Sequence, residues 1–436
     1  MEMISLIGLI LSIVLFSVLS WKGVSAIFTV PLSAVLVLAF SGQDILEIMK
    51  TVFMVRTAGI VSSYFLLFSL SALFGKLVSD SGIARTVAHA LSGIAKKSEK
   101  NKKMLGIMSI VALNAILTYS GISLFVLTFT IVAIAKDLYE ELDIPWGMYG
   151  FGLLGSATFT LSMLPGSPQV QNLIPTKALG TTAMAAPLLG ILSAIFMITI
   201  SMIYLRSELK RYARKNEGFL PSGARIKADQ VISQDFEKVA MWKCIIALLT
   251  PLIVMNGLKQ APETALLCAG IVTYVLCFKH LKNIKQTINV GFTSALNPLI
   301  VLGLGTAFGA VMASTSGFQM VINGLYSMPI PEVAKMLITV IVPSAVMGSS
   351  TSGLTVAYDL FTERYIATGL HPEVIHRLTT MASNLSLTPQ CGGVLNTFAI
   401  TKLNHKEAYK NYFVVGMIMG LTTLIFATLI SYLGIR

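Results

Sequence analysis

The chain of 436 residues is 55% hydrophobic and only 12% charged, with a mean hydropathy of +0.78; no water-exposed surface of this size carries that balance, so lipid is the solvent and a soluble globular protein is excluded. The formal net charge of +12, from 32 Lys+Arg against 20 Asp+Glu, is gathered in short loops beside apolar runs. Such loops are topology signals rather than a nucleic-acid surface, and the bilayer is the expected partner.

Apolar runs near the roughly 20 residues of a membrane span occur at 3–19, 25–40, 58–78, 183–205, 241–255, 264–278, 293–313 and 412–433. The first lacks a basic start and a small-residue cleavage site, and a second follows at once, so it is expected to be retained. Basic residues cluster at Lys22, at Lys96, Lys97, Lys100, Lys102 and Lys103, at Lys279, Lys282 and Lys285, and at Lys402, Lys406 and Lys410. These loops are expected inside. Residues 41–47, with Asp44 and Glu47, and residues 259–263 are poor in Lys/Arg and are expected outside, as are both termini.

That path alternates only if the blocks 104–135 and 333–366 do not cross. Each is interrupted by a small polar cluster, Thr118-Tyr119-Ser120-Gly121 in the first and Ser349-Ser350-Thr351-Ser352-Gly353 in the second. About 14 residues flank each cluster, roughly 21 Å of helix, which is short of a crossing. Both read as re-entrant hairpins, and non-helical backbone at that depth is tolerated only where it is buried in protein or faces a water-filled cavity.

A broken helix follows each hairpin, over 145–182 and 372–403. The first is interrupted by Pro165-Gly166-Ser167-Pro168-Gln169-Val170-Gln171-Asn172 and the second by Thr388-Pro389-Gln390-Cys391-Gly392-Gly393-Val394-Leu395-Asn396. Asn stands seven residues after Pro in both, and Thr176-Lys177 and Thr401-Lys402 follow. The predicted fold is an all-α polytopic membrane protein with two inverted-topology repeats, 1–205 and 241–436, joined by a cytoplasmic basic linker, 206–240. Paired broken helices in inverted repeats point to a transporter site at the midplane.

The candidate binding residues are those of the four interruptions: Thr118, Ser120, Gly121, Gly166, Ser167, Gln169, Asn172, Ser350, Thr351, Ser352, Gly353, Thr388, Gln390, Gly392, Gly393 and Asn396. Gly121 and Gly353 would allow close backbone approach, and the hydroxyls, amides and helix N-termini suit a small carboxylate. Carbonyls freed at the opposite half-helix ends could instead hold Na⁺. Asp359, six residues past Gly353, is the candidate for proton coupling, because a charge inside a span is expensive. No cofactor or metal is expected: the histidines lack ligand spacing, with His371, His376 and His405 read as surface positions, and the four cysteines are read as small core residues. An intramembrane enzyme would need H-E-x-x-H, G-x-S-G or two intramembrane aspartates, and none is present.

At Leu164-Pro165-Gly166-Ser167-Pro168-Gln169 with Asn172, at Ser352-Gly353-Leu354-Thr355 with Asp359, and at His405-Lys406-Glu407-Ala408-Tyr409-Lys410, the chain resembles the gluconate permease family of the ion transporter superfamily, most of all its D-β-hydroxybutyrate permease-like branch. The resemblance implies a homodimeric, proton-coupled symporter of sugar acids or hydroxy acids in the bacterial inner membrane, with a scaffold and a moving transport domain. A cation/proton antiporter of the same superfamily is the alternative, to be told apart by acidic residues at the midplane.

Overall fold

The computed structural model describes residues 2–96, 101–122, 124–152, 154–228 and 237–436. Lys97 and Lys100 of the basic cluster, and residues 229–236 of the linker, lie outside the described residues. Among the described residues the chain forms only helices, turns and loops. In the first half these are α1 (Glu2–Trp21), α2 (Ala26–Ser41), α3 (Ile45–Asp80), α4 (Ile83–Lys96), α5 (Lys102–Tyr119), α6 (Leu124–Glu141), α7 (Leu154–Met163), α8 (Val170–Leu179) and α9 (Pro187–Arg214). The second half supplies α10 (Met241–Gly257), α11 (Pro262–His280), α12 (Ile284–Ala313), α13 (Ser316–Ser327), α14 (Glu332–Met347), α15 (Ser350–Ile366), α16 (Pro372–Ser383), α17 (Gly392–Thr401) and α18 (His405–Ser431). Seven of these described helices, α1, α3, α5, α9, α11, α12 and α18, are long and apolar enough to cross a membrane. The chain is a multi-pass membrane protein.

The halves repeat one another in order. Each opens with an antiparallel pair, α1–α2 or α10–α11, and continues into a long helix, α3 or α12. An amphipathic helix, α4 or α13, leads to a hairpin, α5–α6 or α14–α15; then come a broken element, α7–α8 or α16–α17, and a closing helix, α9 or α18. The packing obeys the same exchange: α3 lies along α12, α2 on α12 as α11 on α3, α8 against α15 as α17 against α6, and α9 beside α18. Both blocks expected to re-enter are helical hairpins.

Local chemistry explains the boundaries. Ser25 caps α2 by accepting from the Ile27 N–H (3.3 Å), and the left-handed Gly42 ends it. Proline begins α9, α11 and α16, where its missing N–H costs nothing. The structure corrects one expected boundary: α9 runs on to Arg214, so the charges from Arg206 onward belong to a helix end rather than to a linker. Glu208, buried there, accepts from Arg211 (2.6 Å) and from Lys410 of α18 (2.7 Å), tying the two closing helices together.

The described part of the linker is also docked. Asp143, at the base of the first hairpin, accepts from Lys103 (2.9 Å) and from the Phe219 N–H (2.9 Å), and these bonds hold its carboxyl below the usual carboxylate range. Ser222 accepts from the Gly147 N–H, Phe219 packs on Trp146, and Arg225 pairs with Glu407.

The inverted path predicts opposite exposure for two positions, Gln43 in the loop after α2 and Lys102 at the start of α5. In a background with Cys244, Cys268, Cys277 and Cys391 replaced by serine, a cysteine at Gln43 reacts with an impermeant thiol reagent in intact cells, whereas one at Lys102 reacts only after permeabilisation. Labelling of both in intact cells contradicts the assignment.

Candidate functional site

Each hairpin turns on a left-handed glycine, Gly121 (φ +93°) and Gly348 (φ +55°), positions where a side chain would be strained. A Cβ on Gly121 would come 2.9 Å from the Pro168 ring, and one on Gly348 would come 2.7 Å from Cys391 Cα. Tip and break therefore touch within each half. The expected role of Gly353 passes to Gly348, because Ser349 caps α15 and the serine-rich run forms the first helical turn. Gly353 instead lets the two hairpin arms approach, its Cβ position lying 2.4 Å from Ser344 Cα.

The acceptor ends of the interrupted helices are closed by side chains. Gln169 donates through Nε2 to the carbonyls of Thr118 (2.6 Å) and Ile122 (3.2 Å) at the first tip. Gln390 does the same at the second tip, to Ala345 (3.0 Å) and Val346 (3.2 Å), and Thr388 also donates to Ala345. Ser71 of α3 bonds the Gly121 carbonyl, and Tyr119 bonds that of Pro165. The donor ends are treated differently. Neither α8, preceded by Gln169, nor α17, preceded by Cys391, has a side-chain cap hydrogen bond, so both present the positive end of the helix dipole.

These two N-termini and that of α15 face one cavity of about 270 Å³, walled on its other sides by α1, α2, α3 and α12. Of the expected site residues, Gly121, Gln169, Ser350, Thr351, Ser352, Gln390, Gly392 and Gly393 line it, together with Gln171, Cys391, Asn384 and Ser386. Gln171 of the first half donates to Ser350 (3.1 Å) and Thr351 (2.9 Å) of the second. Among the described residues no Asp, Glu, Lys, Arg or His lines the cavity.

The other expected residues stand away from it. Thr118 bonds Thr160 and the Asn114 carbonyl, Ser120 the Leu117 carbonyl, and Gly166 the Ala183 carbonyl. The Ser167 hydroxyl is buried without a hydrogen-bond partner, Thr388 is engaged on the hairpin, and Asn396 is half-buried elsewhere on α17. Asn172 is fully buried with all four amide valences used: its Nδ2 donates to Ser167 and Ala183 carbonyls, and its Oδ1 accepts from His376 (3.2 Å) and Arg377 (3.1 Å). His376, expected at the surface, is fully buried and also bonds Thr181 (2.8 Å). The pairing of Asn172 with Asn396 also fails, since the third residue of α8 is Asn172 and the third of α17 is Val394.

Asp359 pairs with Arg56 of α3. The pair lies in a second cavity, of about 790 Å³, shared by α3, α8 and α15 and lined also by Tyr64, Lys177 and Thr355. One helical turn of α15, from Thr351 to Thr355, separates the two cavities.

Paired hairpins and broken helices around a shared cavity are an architecture found in membrane transporters. The chain is 29% identical to a Bacillus subtilis (strain 168) protein described as the uncharacterized transporter YxjC, over 98% of each chain. It is 21% identical to an uncharacterized transporter of Haemophilus influenzae (strain ATCC 51907 / DSM 11121 / KW20 / Rd), over 72% of this chain and 71% of that one. Its fold is similar to that of the crystal structure of the YdaH transporter of Alcanivorax borkumensis, with a TM-score of 0.52 at 13% identity, covering 88% of this chain and 87% of the other. No family model matches the chain.

The symmetric caps give a symmetric prediction. Gln169→Leu and Gln390→Leu each remove two side-chain hydrogen bonds from the carbonyls of a hairpin tip and destabilise the protein by roughly 1–3 kcal/mol, to a similar extent. Equilibrium unfolding of the purified variants measures this, and unchanged midpoints would dismiss the capping role.

Proposed function

We propose that the protein is a proton-coupled symporter of a small organic anion, a hydroxy acid or sugar acid. The observation that carries this reading is the pair of uncapped N-termini of α8 and α17, brought from inverted repeats to one largely apolar cavity whose described lining holds no charged side chain. A carboxylate satisfies their N–H groups and the dipoles behind them. Gln171, Ser350 and Thr351 lie in reach of substrate hydroxyls, and about 270 Å³ is metabolite-sized, below the roughly 300–1,000 Å³ of drug-sized pockets. Relatives described as transporters and the gluconate permease resemblance support the same reading.

The closed acceptor ends favour H⁺ over Na⁺, which needs several oxygen ligands, while Gln169, Gln390, Ser71 and Tyr119 already occupy the carbonyls of the breaks. The coupling group is Asp359, whose partner Arg56 stands on the long helix beside the hairpin. Motion is of elevator type. The seam between hairpin 2 and the α1–α2–α12 wall is apolar, built from Phe16, Val30, Phe308, Met347 and Val356, and Gly309 admits Val356 without a side chain in the way. The carrier works as a homodimer in the bacterial inner membrane, as the resemblance implies. The antiporter alternative would want carboxylates around the cavity, and none lines it among the described residues.

Uptake of radiolabelled hydroxy acids and sugar acids into proteoliposomes, under imposed pH or Na⁺ gradients, tests the reading. A pH gradient drives accumulation and a Na⁺ gradient does not; the reverse result assigns Na⁺ coupling, and no uptake of any acid rejects the anion symporter. Gln171→Ala and Thr351→Val weaken binding by roughly 1–3 kcal/mol, the range for losing a buried hydrogen-bond partner. Asp359→Asn retains substrate exchange but loses accumulation driven by the pH gradient. Accumulation that persists in this variant would remove Asp359 as the coupling group.

A further inference from the structure

Arg377 is fully buried on α16, and every acceptor it meets is neutral. Its Nε and Nη2 donate to the Ala185 carbonyl (3.2 and 2.6 Å), and its Nη1 donates to the Ser162 carbonyl (2.9 Å) and to Asn172 Oδ1 (3.1 Å). Among the described residues no carboxylate stands within ion-pair distance of it. Glu373, one turn earlier on the same helix, is half-buried and accepts from the Ala186 N–H. A guanidinium kept in low dielectric without a directly paired carboxylate, with only the half-buried Glu373 near enough to offset it in part, is expensive, and intramembrane charges mark substrate pathways.

Its position supplies a use. Ser162, whose carbonyl holds the guanidinium, follows Leu161, which lines the 270 Å³ cavity. The Ser162 hydroxyl accepts from Asn384 Nδ2 (2.6 Å), and Asn384 lines the cavity as well. The charge therefore stands one residue behind the wall. We propose that Arg377 is the fixed countercharge that makes the cavity select anions, acting through the Ser162–Asn384 wall without touching the substrate. This rests on the reading of that cavity as the substrate site. Unit charges about 10 Å apart, at an effective dielectric of about 20, change a binding constant on the order of tenfold.

The test compares binding of 3-hydroxybutyrate and gluconate with binding of their uncharged carboxamides, in purified protein. Wild-type protein favours the carboxylates on the order of tenfold or more. Arg377→Gln loses that factor for the carboxylates and leaves carboxamide binding unchanged, whereas Arg377→Lys, which keeps the charge, keeps the preference. Gln171→Ala, in the wall itself, weakens both kinds of ligand. Carboxylates and carboxamides bound equally by the wild type, or lost alike in Arg377→Gln, overturn the countercharge and leave the site standing. Should Arg377→Gln not assemble, the wild-type ratio and Arg377→Lys decide: a lost preference in assembled Arg377→Lys has the same consequence. Wild-type protein that binds none of the four compounds rejects the substrate reading itself.

Discussion

The constraint on which the structure depends is that a bilayer offers no water to a broken helix, so every N–H and C=O freed by an interruption must find a partner within the protein or its ligand. Four interruptions meet here, and they are closed unequally. The carbonyl ends are covered by Gln169, Gln390, Ser71 and Tyr119, while the N–H ends of α8 and α17 have no side-chain cap. Which end is left open sets the sign of the site. In the proposed reading, two positive dipole ends around a cavity without charged walls receive an anion, and the same wall would hold a bare cation poorly.

Much of this architecture was legible because its signals are physical necessities. A polar cluster midway through a block too long for one span reads as a turn, and α5–α6 and α14–α15 are hairpins about such turns, although α5 by itself is long and apolar enough to cross. Register was less legible. Proline announces that a helix stops, but the residue that sets the geometry is the glutamine following Pro168 or Pro389, which reaches carbonyls of a hairpin lying about 50 residues earlier in sequence. Matching the breaks on Pro165 and Pro389 therefore paired Asn172 with Asn396. A serine run reads equally well as a turn or as a capped first turn of a helix, which is why the tip was expected at Gly353 rather than at Gly348.

The charged residues of the interior were the least legible. His376 and Arg377 follow Pro372 closely and look like a helix emerging into solvent, yet α16 is buried from Val374 to its end because α7, α8, α14, α15 and α18 surround it. One signal was available: apart from Glu373, no acid stands near Arg377 on its own helix, so a buried arginine there had to find oxygen on another element. Asp359 was noticed for its cost, but its partner Arg56 lies some 300 residues away in the opposite repeat, where sequence spacing carries no information. Glu208 was hidden by its setting in a run of lysines and arginines that looked like a linker.

Taken together, the interior charges give the proposed cycle a simple electrical form. The unit made of the hairpins and broken helices carries Arg377, buried within it, and Asp359, paired across the seam to the wall helix α3. For that unit to slide, the Arg56–Asp359 contact must part, and a carboxylate parted from its guanidinium is costly to move through a low dielectric. Arg377 and ionised Asp359 offset one another within that unit. A bound monoanion lowers the charge of the unit by one, and a proton on Asp359 restores it. One proton per monovalent anion is thus the stoichiometry at which the empty and the loaded unit carry the same charge, and the proton that achieves this also weakens the hold of Arg56 on the moving hairpin.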